Sequence, residues 1–178
     1  MKSALIVYWS KTGNTKKAAE AIAEGLKSAG WAVTLKNPRE AQNEDYFCYD
    51  LVCIGAPSYQ WLPAEAIIDY LKKKFAEQKT AGKIKPSAPK IQGKNALIFI
   101  TYSGPHTGLG EAEPAGKYIG QYFEHIGFTV AAECYILSEF HGSVENSTLG
   151  RMGDIRGKPT ADDLQKIKEE TKKLAAKL

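Results

Sequence analysis

Six consecutive positions, Ser10-Lys11-Thr12-Gly13-Asn14-Thr15, carry three hydroxyls, an amide, a lysine and a glycine. They stand between an apolar run, Ala4 to Tyr8, and a stretch with apolar residues at Ala18, Ala19, Ile22, Ala23 and Leu26. The run reads as a buried strand and the stretch as one stripe of a helix. A strand that turns straight into a helix presents backbone N–H groups and the positive end of the helix dipole, so the chemistry expected is phosphate binding. An ordinary N-cap needs one Ser, Thr or Asn. Four such residues in six positions exceed that need. The triphosphate-binding pattern G-x-x-x-x-G-K-[ST] is absent, and so is G-x-G-x-x-G after the first strand. The second strand ends in Lys36-Asn37, with no acid to hold a ribose, and Gly108-x-Gly110 meets Glu113 where a third glycine would stand.

Two further segments carry chemistry. In Gly55-Ala56-Pro57-Ser58-Tyr59-Gln60-Trp61, a loop is expected to offer Tyr59 and Trp61 as flat faces for stacking on a ring. In Thr101-Tyr102-Ser103-Gly104-Pro105-His106-Thr107-Gly108, hydroxyls and freed N–H groups suit the polar edge of a heterocycle. His106 is a candidate proton donor to a bound acceptor, His125 reads as structural, and His141 is left open.

The elements that must position these segments follow from periodicity. Leu51 to Ile54 reads as a buried strand closed by Gly55, followed by a helix from about Pro63 with a stripe at Ala64, Ile67, Ile68, Leu71 and Phe75. Lys79 to Gln92 reads as an exposed loop. Ala96 to Ile100 is a further strand, Ala115 to Ile126 a helix ended by Gly127, and Val130 to Leu137 the last strand. Trp31 to Leu35 supplies the remaining one. Thr160-x-x-Asp163 opens a final helix, and 138–159 reads as one long irregular loop of the kind that often carries function. This alternation predicts one α/β domain over 1–178, a three-layer doubly wound fold with a five-stranded parallel sheet of order 2-1-3-4-5. In that order the ligand crevice lies at the carboxyl ends of strands one and three.

At 178 residues the chain has the length of one domain, and 43% hydrophobic against 25% charged residues excludes a disordered chain. A net charge of +4 makes no case for nucleic acid. Cys48, Cys53 and Cys134 form no C-x-x-C pair; Cys53 and Cys134 lie in apolar runs and read as buried thiols of a reducing compartment. The expectation is a cytoplasmic protein with no metal, no membrane span and no cleaved leader. Other chemistries of the same fold lack their residues: Gly55 stands where a receiver domain needs Asp, no cysteine has an arginine six positions on, and G-x-S-x-G is missing.

The pattern [ST]-x-T-G-x-T after strand one, matched by Ser10, Thr12, Gly13, Asn14 and Thr15, resembles the flavodoxin family, and the βα order agrees over essentially the whole chain. The resemblance implies non-covalent FMN. It would place the phosphate on Ser10, Lys11, Thr12, Gly13, Asn14 and Thr15, with Tyr59 or Trp61 covering a ring face. Pro57, Ser58 and Gln60, with Thr101, Tyr102, Ser103, Gly104, His106 and Gly108, would meet the ring's edge. It implies electron transfer to redox partner proteins. The alternative is an NAD(P)H-dependent FMN oxidoreductase reducing quinones or similar small acceptors, with segment 138–159 walling a substrate site and Arg151 and Arg156 meeting nicotinamide phosphates; an oligomer is compatible with either. The chain departs from the family in its basic charge and in having no glycine between Ser58 and Trp61.

Overall fold

The computed structural model describes residues 1–178. The first strand, β1 (Ser3–Tyr8), is buried on both faces and leads into α1 (Asn14–Ser28). Gly30, at φ 83°, turns the chain out of α1 and into β2 (Ala32–Lys36). Next come β3 (Leu51–Tyr59), a two-residue strand β4 (Leu62–Pro63) and α2 (Glu65–Thr80). Then β5 (Asn95–Tyr102), α3 (Glu113–His125) and β6 (Thr129–Leu137) complete the sheet. A short α4 (Val144–Thr148) and the terminal α5 (Ala161–Ala175) follow.

The strand order is β2-β1-β3-β5-β6, all parallel, with β4 pairing antiparallel to β3. This is the expected 2-1-3-4-5 sheet with one hairpin added. Each face of the sheet is covered by helices over its own core. One core gathers Leu5, Val7, Ile54, Ile98 and Ile100 with Ile67 and Leu71 of α2 and Ile119 and Phe123 of α3. The other sets Ala4, Ile6, Cys53, Leu97 and Phe99 against Ala18, Ala19, Ile22 and Leu26 of α1 and Ala175 of α5. Tyr46 is fully buried in the first core among Tyr70, Tyr122 and Phe123, and its hydroxyl has no hydrogen-bond partner.

Four details differ from the sequence expectation. Strand β3 does not stop at Gly55 but runs on to Tyr59, because the ring of Phe99 fills the space beside Gly55; a Cβ there would lie 2.0 Å from it. Pro63 is paired with Ser58 in β4 and does not begin the helix, which starts at Glu65. Helix α2 extends to Thr80, into the segment read as loop. Segment 138–159 is not irregular throughout, since it contains α4, whose start is capped by Ser143 Oγ accepting the Asn146 N–H at 3.1 Å.

The thiols separate by burial. Cys48 is exposed and Cys53 is buried as expected, whereas Cys134, on the edge strand, is only half-buried. Burial raises the Cys53 thiol far above its ordinary value and pushes Cys134 up to about 11. At pH 8 a thiol reagent is expected to titrate Cys48 alone in the native protein and all three cysteines in guanidinium. A native count of two would contradict this placement.

Helix α5 begins with the expected capping box. Asp163 Oδ2 accepts the Thr160 N–H at 2.8 Å, and Thr160 Oγ1 accepts the Asp163 N–H at 3.2 Å. The Thr160 backbone bond, more than the Lys158 ammonium at 3.0 Å, holds the Asp163 carboxyl below its usual range. Its stabilisation is therefore present above the unfolded carboxylate value and is lost as pH falls through the depressed one. Urea unfolding of Asp163→Ala should show a loss of about 1 kcal/mol at pH 7. The gap to wild type should narrow below about pH 4.

Candidate functional site

The loops leaving β1, β3 and β5 meet at the carboxyl end of the sheet and, with segment 138–146, line one cavity of about 860 Å³. That volume lies within the range of small-molecule sites.

The first wall is the turn into α1. Gly13 adopts φ 98°, which a residue with a Cβ reaches only with strain, and its N–H is taken by Ser10 Oγ at 3.1 Å. Ser10 and Gly13 thus shape the turn without lining the cavity, whereas Lys11, Thr12, Asn14 and Thr15 do line it. Helix α1 has no side-chain cap. The N–H groups of Lys11, Thr12, Asn14, Thr15 and Lys16 find no partner in the protein. The first turn holds no acid and instead carries Lys16 and Lys17. Cations at a helix N-terminus oppose the dipole, so the local charge is arranged for an anion. Thr15 Oγ1, nearly fully buried, shares a hydrogen bond of 2.8 Å with Thr101 Oγ1 of β5.

The second wall is the β3–β4 hairpin. Gln60 and Trp61 both have positive φ, 48° and 67°, and close a two-residue turn between Tyr59 and Leu62. Such turns twist with the strands they join. Tyr59 and Trp61 are 46% and 61% exposed, so neither has folded into the core, although the Tyr59 ring meets Trp9 edge-on at 6.1 Å. The expected loop is therefore mostly strand, with only its two-residue tip free.

The third wall follows β5. Gly104 at φ 56° and Gly108 at φ 72° close a tight loop, joined by the Gly108 N–H to Gly104 carbonyl bond at 3.0 Å. Glu111 governs it: Oε1 accepts the N–H of His106 at 2.8 Å and of Thr107 at 2.6 Å, and the Glu111 carbonyl accepts Ser58 Oγ at 2.5 Å. Pro57, Ser58, Gln60, Thr101, Tyr102, Ser103, Gly104 and His106 line the cavity, while Gly108 lies behind it. Burial raises the phenols of Tyr59 and Tyr102, which stay protonated as neutral donors at neutral pH.

The fourth wall was expected only in outline. Ser138 N–H donates to the Tyr102 carbonyl at 2.8 Å, Ser103 Oγ returns a bond to the Ser138 carbonyl at 2.8 Å, and Asn14 Nδ2 donates to the Glu139 carbonyl at 3.3 Å. These bonds bring Glu139, Phe140, His141, Gly142 and Asn146 onto the cavity. The unusual length of segment 138–159 was the one sequence signal for them; Glu111 had none. Arg151 and Arg156 do not line the cavity, and Arg156 is held by Asp154 at 2.6 Å. No cluster of potential metal ligands exists. No helix is long and apolar enough to cross a membrane.

Residues 5–99, a little over half of the chain, match the family model of the flavodoxin domain. The chain belongs to the flavodoxin domain family. A flavodoxin from Aquifex aeolicus is 44% identical over 105 residues, which cover 58% of this chain and 52% of that protein. The chain thus spans about half the length of that relative. An NAD(P)H dehydrogenase (quinone) from Archaeoglobus fulgidus is 26% identical over an alignment covering 98% of this chain and 96% of that one. Among solved structures, an archaeal flavodoxin superposes with a TM-score of 0.63 at 20% identity, covering 98% and 97% of the two chains.

A flavodoxin domain implies FMN, and the residues present fit it. The unpartnered N–H groups at the start of α1 suit a phosphate dianion. The aromatic faces of Tyr59 and Trp61, on another wall of the same cavity, suit a flat ring. Free N–H groups at Gln60, Trp61, Ser103 and Gly104 suit its polar edge.

Proposed function

We propose that this protein binds FMN non-covalently and carries electrons between redox partners. The observation that supports the reading most directly is the uncapped, lysine-flanked start of α1 facing the same cavity as Tyr59, Trp61 and the 101–106 loop. FMN, when bound, supplies the redox chemistry. The chain's part is to bind and orient it. The backbone N–H groups of Lys11, Thr12, Asn14, Thr15 and Lys16, with the hydroxyl of Thr12, hold the phosphate. Tyr59 and Trp61 cover the ring and keep water from one face. The hairpin tip and Ser103 and Gly104 hold its hydrogen-bonding edge, braced by Glu111 through the N–H groups of His106 and Thr107.

A second reading, an NAD(P)H-dependent FMN oxidoreductase acting on quinones or similar acceptors, is favoured by two observations. Segment 138–146 adds a further wall to the cavity, and the resemblance to the Archaeoglobus fulgidus protein runs the length of both chains. In that reading His106, exposed on the cavity, is the candidate donor to an acceptor oxygen.

The visible spectrum of the purified protein tests both. A yellow protein that NADPH alone leaves yellow fits a carrier, and one bleached by NADPH and restored by benzoquinone fits the oxidoreductase. A colourless protein that fails to quench added FMN fluorescence overturns both.

A further inference from the structure

The geometry points to His141 as a phosphate-binding residue that takes up a proton together with FMN; this rests on the flavin reading above. His141 lies 127 positions from Asn14 in the chain, yet its Nε2 is 3.3 Å from Asn14 Nδ2 at the mouth of the phosphate turn. Asn14 Nδ2 is an NH₂ group and can only donate. Its other partner, the Glu139 carbonyl at 3.3 Å, can only accept, which fixes the orientation of the amide. An Nε2 lone pair facing this N–H is the arrangement that satisfies both groups, with the ring's N–H then on Nδ1. That nitrogen faces Glu139 Oε1 at 4.0 Å.

In this arrangement both hydrogens of Asn14 are spent on segment 139–141, and none is left for a ligand. Protonating Nε2 would set two donors against each other and open the clasp. Alone, that is unfavourable, because the new cation would stand beside the positive end of α1. With a phosphate dianion in the turn the sign reverses. The imidazolium N–H and the released Asn14 NH₂ then both point to an acceptor, and a nearby dianion favours the charged ring. Proton uptake and phosphate binding therefore assist each other.

The other charged and titratable groups on this cavity are all kept in His141→Gln, so a slope lost in that variant is not theirs. Lys11 comes from the turn itself, Glu111 and His106 from the loop across the cavity, and Glu139 from the same segment. Glu139 is already engaged through Oε2 by the Gly157 N–H at 2.9 Å, and its charge is felt by Arg156. His141 is well exposed on the cavity, so its replacement leaves the core intact.

FMN and riboflavin dissociation constants, measured by flavin fluorescence from pH 7 to 8.5, test this. In that range the phosphate, with a second pKa near about 6, stays dianionic. For wild type, FMN binding should weaken as pH rises, by up to about ten-fold per unit, the limit for one linked proton. Riboflavin should show no such slope. His141→Gln should bind FMN more weakly at pH 7 and without the slope. His141→Lys, with a fixed charge, should recover affinity and remain flat. Calorimetry of FMN binding in two buffers of different ionisation enthalpy should register proton uptake for wild type and none for His141→Gln. Equal slopes and uptake in wild type and His141→Gln would overturn the assignment while leaving flavin binding standing. Absence of binding of either flavin in every form would overturn both.

Discussion

FMN is expected to bind about 1,000-fold more tightly than riboflavin, the same ring without phosphate. Five successive N–H groups from Lys11 to Lys16, Gly13 excepted, have no protein partner. A hydrogen bond to a charged acceptor contributes about 1.5–3 kcal/mol net, so three such bonds at the lower figure give about 4.5 kcal/mol. At about 1.4 kcal/mol per factor of ten, this is slightly more than three decades. Lys11, Lys16 and Lys17 add attraction and no acid in the first turn opposes it. Gly13→Ala should remove part of this advantage, because φ 98° costs an L-residue about 1–2 kcal/mol. The variant should lose about ten-fold in FMN affinity and little in riboflavin affinity. Fluorescence titration of both ligands checks this; a ratio below ten would mean that the turn does not grip the phosphate.

Gly55→Val is expected to destabilise the protein by about 3 kcal/mol or more, at the upper end for overpacking. A Cβ at Gly55 would lie 2.0 Å from two atoms of the Phe99 ring, which is itself fully buried and cannot swing away. Phe99→Ala alone should cost about 3–5 kcal/mol through the cavity it leaves. Combined, the two substitutions should cost clearly less than their sum, because valine fills space that the ring vacated; coupling between touching residues reaches about 0.5–3 kcal/mol. Urea unfolding of the two single variants and the double variant measures this coupling. Strict additivity would show that Gly55 and Phe99 do not share that space.

The same pair explains one boundary that the sequence did not reveal. A glycine after Leu51 to Ile54 reads as a strand end, yet Gly55 is retained inside the strand because Phe99, 44 residues later, occupies its side-chain place. The regular elements were legible because their signals are local: the apolar run of β1, the stripe of α1, the glycines at 30 and 127, and the Thr160–Asp163 box. The turn into α1 was legible for the same reason, since it is six consecutive residues. The hairpin tip was harder, because Gln60 and Trp61 are not the Asn and Gly that such turns favour. The fourth wall needed contacts that no window contains. Asn14 reaches Glu139 and His141 across more than 120 positions, and Glu111 acts through bonds to backbone N–H groups that any side chain at 106 and 107 would offer.

The hydroxyl bridge between Thr15 and Thr101 ties the two ends of the cavity together. One partner stands in the first turn of α1 and the other near the carboxyl end of β5. A displacement of the turn into α1 is thereby passed to the end of β5 through a single short contact between buried hydroxyls. Loosening of the turn would then be felt at the loop after β5, so these two walls would give way together rather than one after the other.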